Sequence, residues 1–228
     1  MAAVSPVFYL IPGLGADARI FERLRLVGTV RVLNWLEPTD PHEPLAAYAA
    51  RLAAPIAPAE ICWVVGVSFG GVVALEIGCL RPNARVVLIS SLSTPAERTG
   101  WLALGRRLHL DVWLPVGLLR RLPRAGEWFF GVSGRRGNQL FREILALLTP
   151  VYTRWALRSL FRWNGCTARA VAHIIGTRDR VFPLGYRSAT HIIGRATHFL
   201  IVTHAGSVSR ILNDLARSNA PAIPAPPA

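Results

Sequence analysis

The chain has 228 residues, of which 52% are apolar and 17% charged, so it is too apolar for a disordered chain and can build one catalytic-sized core. All 26 basic residues are arginine, against 13 acids, for a formal net charge of +13. Three widely spaced cysteines, Cys62, Cys79 and Cys166, lack a Cys-x-x-Cys pair, which argues against a disulfide framework or zinc site and for buried thiols in a reducing, cytoplasmic compartment.

Short apolar runs alternate with helical patterns along the chain. Val7 to Ile11 predicts a buried strand, and it is too short and wrongly flanked for a secretory signal. Asp17 is placed to cap a helix over Ala18 to Leu24. Val30 to Trp35 predicts a second strand and Leu45 to Ile56 a helix. Ile61 to Val67 predicts a third strand, with a helix over Phe69 to Leu80 directly after it. That stretch is the most apolar of the chain, but Gly66, Ser68, Gly70, Gly71 and Glu76 interrupt it, so it is not read as a membrane span. Val86 to Ser90 predicts a fourth strand, Ala170 to Ile175 a fifth and His191 to Ile193 a short sixth. Val208 to Arg217 predicts a closing helix. Strands alternating with helices imply right-handed crossovers and a mostly parallel sheet with helices on both faces.

The stretch from Thr94 to Arg169 differs. It is helical in pattern and rich in Trp, and Pro115, Pro123 and Pro150 divide it. It holds 13 of the 26 arginines and only four acids, Glu97, Asp111, Glu127 and Glu143. The expected organisation is therefore a core of residues 1–93 and 170–217, a helical cap inserted at 94–169, and a disordered Pro- and Ala-rich tail at 218–228.

The most informative segment is Gly66-Val67-Ser68-Phe69-Gly70, between a predicted strand and a predicted helix. A serine on a sharp strand-to-helix turn is strained, and the turn closes only if the residues two positions away on each side are small. Ser68 then stands above the carboxyl ends of the strands, where open α/β sheets bind ligands.

With that elbow, three further segments resemble the α/β-hydrolase superfamily. Tyr9-Leu10-Ile11-Pro12-Gly13-Leu14-Gly15-Ala16-Asp17 resembles the family's oxyanion-hole loop. Ile174 to Pro183 resembles its acid loop and Gly194-Arg195-Ala196-Thr197-His198-Phe199 its histidine loop. The order is serine, acid, histidine, as in the family. The resemblance runs from about residue 5 to residue 217. It is nearest to compact bacterial members that lack two N-terminal antiparallel strands. It implies an α/β-hydrolase fold with a small helical cap.

The resemblance also implies roles. Ser68 is the expected nucleophile, His198 its base and Asp179 the acid that orients His198. The backbone amides of Leu14 and Phe69 are the expected oxyanion hole. His173 reads as a strand histidine, His191 as a structural one, His204, near the start of the last helix, as the strongest rival to His198, and His42 and His109 as loop and cap residues. Only Asp179 and Asp214 follow the cap, and Asp214 reads as a solvated helix residue. Ser90-Ser91-Leu92-Ser93 stands where some relatives carry the acid. Pro12 stands where His is frequent, so the oxyanion loop must be oriented from elsewhere.

The expected activity is cleavage of an ester, or a thioester or amide, of an apolar small molecule through an acyl-enzyme, without metal or organic cofactor. Carbon–carbon bond hydrolysis, cofactor-free perhydrolysis and non-catalytic ligand binding remain alternatives on the same fold. The basic insertion reads first as an amphipathic cap with its arginines in water. A weak peripheral contact with anionic membrane and a guanidinium lining for acidic substrates are the alternatives. No nucleic-acid recognition motif accompanies the charge.

Overall fold

The structure is a computed structural model and describes residues 5–113, 117, 121–183 and 188–218. The expected tail beyond Ser218, Pro115 and much of the apolar stretch from Leu114 to Leu122 lie outside the described residues.

Six strands form one parallel sheet in the order β2-β1-β3-β4-β5-β6. They are β1 (Val7–Ile11), β2 (Thr29–Val32), β3 (Cys62–Val67), β4 (Ala84–Ile89), β5 (Ala172–Gly176) and β6 (His191–Ile193). β3 is apolar at every position, glycine apart, because helices cover both faces of a parallel sheet. Its side chains alternate between two cores. Cys62 and Val64 join Tyr9, Ile11, Val86 and Leu88 on one face. Trp63, Val65 and Val67 join Phe8, Leu10, Val87 and Ile89 on the other. Fully burying each such aliphatic side chain contributes about 1.5–3 kcal/mol.

The edge strand β2 is mostly exposed and shorter than the run Val30 to Trp35 suggests. Its pairing with β1 ends at Leu10 and Val32. Leu33 still donates to the Leu10 carbonyl, and the chain then turns so that Trp35 reaches the β1 loop.

The first helix, α1 (Leu45–Leu52), ends before the expected Ile56. Pro55 has no N–H to give and disfavours helical geometry at Ala54. The second, α2 (Phe69–Leu80), is buried from Phe69 to Ile77. Its buried Glu76 accepts the Trp163 indole N–H at 2.7 Å.

Between β4 and β5 most of the described residues are helical. A short 3-10 turn, Pro95–Glu97, leads to α3 (Gly100–Arg107), α4 (Leu110–Trp113), α5 (Pro123–Phe130), α6 (Arg135–Leu147) and α7 (Pro150–Arg162). Pro123 and Pro150 open α5 and α7 at the first turn, where the missing N–H costs nothing. The chain closes with α8 (Leu200–Thr203) and α9 (Ala205–Arg217).

The strand order places the site. From β1 the chain leaves outward to β2, and it returns to the other side of β1 as β3. The loops after β1 and β3 therefore diverge at adjacent carboxyl ends, where an open α/β sheet forms its crevice. Among the described residues no helix is long and apolar enough to cross a membrane.

Candidate active site

Ser68 is the hinge between β3 and α2, with φ 54° and ψ −123°. A non-glycine residue in that region costs on the order of 1–3 kcal/mol, which the surroundings must hold in place. Two glycines make the turn sterically feasible. A Cβ on Gly66 would lie 2.2 Å from the Gly70 carbonyl oxygen, and one on Gly70 would lie 2.3 Å from the Pro12 carbonyl oxygen. Hydrogen bonds fix the turn further. The Ser68 N–H donates to Ile89 at 2.9 Å, and the Ser68 carbonyl accepts Gly71 N–H at 2.9 Å and the Ser91 hydroxyl at 2.6 Å.

His198 lies in the loop after β6 and is buried. Its Nε2 is 3.0 Å from Ser68 Oγ. Its Nδ1 is 3.1 Å and 3.0 Å from the two Asp179 carboxylate oxygens. The rings of Phe130, from α5, and Phe182 flank the imidazole, each with its centroid 5.4 Å away. Asp179 follows β5 and also accepts the Phe182 N–H at 2.8 Å. Burial pushes the Asp179 carboxyl up. The opposing pull of the His198 charge and hydrogen bond, the Phe182 N–H and the Ser90 side chain is larger, so the carboxyl is held below its ordinary range. The Ser68 hydroxyl, the imidazole and the carboxylate thus form one continuous chain. In it a neutral imidazole can accept the serine proton while the carboxylate holds its Nδ1–H.

The other candidate residues lie elsewhere. His173 is buried within β5. His191 and His204 have their Nδ1 atoms 2.9 Å from the hydroxyls of Thr190 and Thr203. His42 lies against Arg158, and His109 is exposed between α3 and α4. Asp214 pairs with Arg217 at 3.2 Å on the surface of α9. Arg180, a neighbour that could have taken Asp179, lies instead over the Trp128 ring at 4.5 Å.

The loop after β1 approaches Ser68 closely: a Cβ on Gly13 would lie 3.6 Å from Ser68 Cβ. Leu14 therefore sits in a turn beside the serine, closed by Ala16 N–H donating to Gly13 at 2.9 Å and by a positive φ of 68° at Gly15. The orientation that Pro12 cannot supply comes from Trp35, whose indole N–H donates to the Gly13 carbonyl at 2.9 Å. Asp17 caps the 3-10 turn Ala18–Phe21, shorter than the helix expected to Leu24, by accepting the Arg19 N–H at 3.0 Å.

The helical segment closes over this loop with side chains that its sequence does not single out. A Cβ on Gly15 would meet Leu148 at 2.0 Å. Tyr152 of α7 lies with its ring 5.6 Å from Trp35. Burial pushes the Tyr152 phenol well above its ordinary range, against a smaller opposing pull from the Gly15 backbone. Trp35 stacks on Phe69 at 5.5 Å, and Phe69 meets the edge of Trp155 at 5.9 Å. A groove of about 560 Å³ lies away from Ser68, between Arg19, Arg23 and the start of α6. Among the described residues no cluster of three or more His, Cys, Asp or Glu side chains could hold a metal ion.

The profile described as the Alpha/beta hydrolase family matches residues 8–211. No curated protein matches the chain. Among solved structures, a bromoperoxidase from Bacillus anthracis superposes with a TM-score of 0.70 at 14% identity, over 93% of this chain and 92% of that one. A carboxylesterase from the ammonia-oxidizing thaumarchaeon Nitrososphaera gargenis gives 0.68 at 14% identity, over 94% and 90%. A thermophilic esterase from Thermogutta terrifontis gives 0.67 at 12% identity, over 95% and 91%. At such identities these likenesses speak for the fold.

Proposed function

The chain belongs to the alpha/beta hydrolase family, and from that premise we propose that it is a serine hydrolase that cleaves esters of apolar small molecules through an acyl-enzyme. The observation that carries this reading is the 3.0 Å contact of Ser68 Oγ with His198 Nε2, with both Asp179 oxygens on Nδ1.

In this reading Ser68 Oγ attacks the acyl carbon and its proton passes to His198 Nε2. Asp179 stays ionised and stabilises the imidazolium. The amides of Leu14 and Phe69 hold the oxyanion of the tetrahedral intermediate. Collapse breaks the bond to the leaving alkoxide, which takes the proton from His198. Water then attacks the acyl-enzyme, giving its proton to His198, and the acid leaves as Ser68 recovers its hydroxyl hydrogen. None of these steps calls on a metal or organic cofactor.

Residues 94–169 act here as a cap that selects the substrate. Support comes from Phe130 against His198, and from Tyr152 and Trp155 packed around Trp35 and Phe69. These walls are aromatic and suit an apolar acyl group. Of the three free thiols only Cys62 is buried, whereas Cys79 is exposed and Cys166 half-buried, so the expectation of three buried thiols does not hold; their lying outside any disulfide still fits a reducing, cytoplasmic setting.

The test is hydrolysis of p-nitrophenyl esters across acyl chain lengths. Wild-type protein is expected to turn over at least one ester, and folded Ser68→Ala none above background. Turnover that survives in Ser68→Ala would overturn the reading.

A further inference from the structure

The helices between β4 and β5 present a surface of one sign. Residues 94–169 hold four acids, and three of these, Glu97, Asp111 and Glu127, are buried. Asp111 pairs with Arg158 at 3.1 Å and with Arg162 at 3.8 Å, and Glu127 with Arg142 at 2.7 Å. Glu97 accepts the N–H groups of Ser93 and Ser188. The fourth, Glu143, bonds back to Arg19 of the core at 2.5 Å. Arg106, Arg107, Arg121 and Arg124 remain exposed, with no carboxylate partner among the described residues.

The same surface exposes large apolar side chains. On α3, Leu102 and Gly105 face inward, while Leu104 and Leu108 lie one turn apart on the outer side, 54% and 53% exposed. Arg107 shares that side with Leu104. On α5, Arg124 lies one turn before Trp128, which is 64% exposed. Trp101 packs its ring edge-on against Phe129 at 5.7 Å, so α3 and α5 are neighbours. Seven of the thirteen exposed large apolar side chains among the described residues fall between residues 94 and 169, and Leu104, Leu108 and Trp128 lie on or beside the neighbouring helices α3 and α5.

We propose that the outer face of α3 and α5 docks on an anionic lipid bilayer. Leu104, Leu108 and Trp128 enter the boundary between headgroups and acyl chains, and Arg106, Arg107, Arg121 and Arg124 pair with lipid phosphates. Charge alone would suit a nucleic acid equally. A phosphate backbone, however, gives exposed leucines nothing to bury, whereas a bilayer takes both kinds of group. The contact is peripheral, since no described helix can span the bilayer. It goes beyond the proposed hydrolysis and does not depend on it.

The test is co-sedimentation with vesicles of phosphatidylcholine alone and with one part in three of phosphatidylglycerol. The full chain is expected to pellet with the anionic vesicles and to be released by salt. Leu104→Ser/Leu108→Ser keeps every charge and alters exposed positions, and its far-ultraviolet circular dichroism is expected to match the wild type. It is expected to bind at least about tenfold more weakly. Trp128→Phe is expected to remove the part of the tryptophan emission that shifts to the blue on binding. No pelleting at low salt overturns the proposal. So does unchanged binding by the double variant, which would mark adsorption by net charge alone. Loss of self-association in that variant, without loss of lipid binding, would instead assign the face to a second copy of the chain. Displacement by duplex DNA that binds both forms equally would assign it to nucleic acid.

Discussion

The Ser68 hydroxyl lies 3.0 Å from His198 Nε2 although 130 positions separate the two residues. Each is held from its own side. Ser68 is fixed by the turn that Gly66 and Gly70 permit, and His198 by Asp179 and the rings of Phe130 and Phe182. If these residues act together, Asp179→Asn should leave a folded protein whose kcat for an activated ester falls by about 10⁴-fold. Steady-state kinetics checks this, and a loss below tenfold would contradict it.

The elbow glycines separate steric need from helix propensity. Gly66→Ala and Gly70→Ala place a Cβ against backbone oxygens that cannot move aside. Each should cost about 1–3 kcal/mol or more. Gly206→Ala, in α9, meets nothing within 4 Å and should gain about 0.5 kcal/mol. Urea denaturation of the three variants gives the comparison.

Trp35→Phe keeps an aromatic ring on Phe69 but removes the N–H that holds the Gly13 carbonyl. Ala16 N–H still bonds that carbonyl, so the turn should survive. We expect kcat to fall about two- to tenfold with KM nearly constant. A larger change in KM than in kcat would show that Trp35 serves substrate binding rather than the loop beside Ser68.

Acid stability follows from Asp179. Its carboxyl titrates lower in the folded protein than its ordinary value. A depressed folded pKa contributes stability that is present above the unfolded pKa and lost as pH falls through the folded one. Unfolding free energy should therefore drop with pH below about 4. In Asp179→Asn the drop should be shallower over that window. Equal slopes in the two proteins would contradict this.

The elbow was legible because its rule is local: a strand, a turn that only small neighbours allow, and a helix. Val7 to Ile11 and Ile61 to Val67 read as buried strands because parallel sheets bury both faces. Asp179 stands out because the segment after Arg169 offers only one other acid, Asp214. Other parts were not legible. Trp35 looked like the end of a strand, since the length of an edge strand depends on where its partner β1 turns away. Ser91 carried no signal that its hydroxyl would brace Ser68. Leu148, between α6 and α7, reaches Gly15 and Tyr152 reaches Trp35 from more than 110 positions away, and the two helices show only an amphipathic pattern without saying what it packs against. The helix after Asp17 and the helix α1 each ended early, as boundaries set by turn chemistry and by Pro55 often do.

The central claim is that Ser68 is a nucleophile activated by His198. Labelling the folded protein with a fluorophosphonate probe, followed by peptide mass spectrometry, tests it most directly. The account predicts one adduct, on the peptide bearing Ser68, that is lost in Ser68→Ala and in folded His198→Ala. An unlabelled wild-type protein, or an adduct on another residue that persists in both variants, would contradict it.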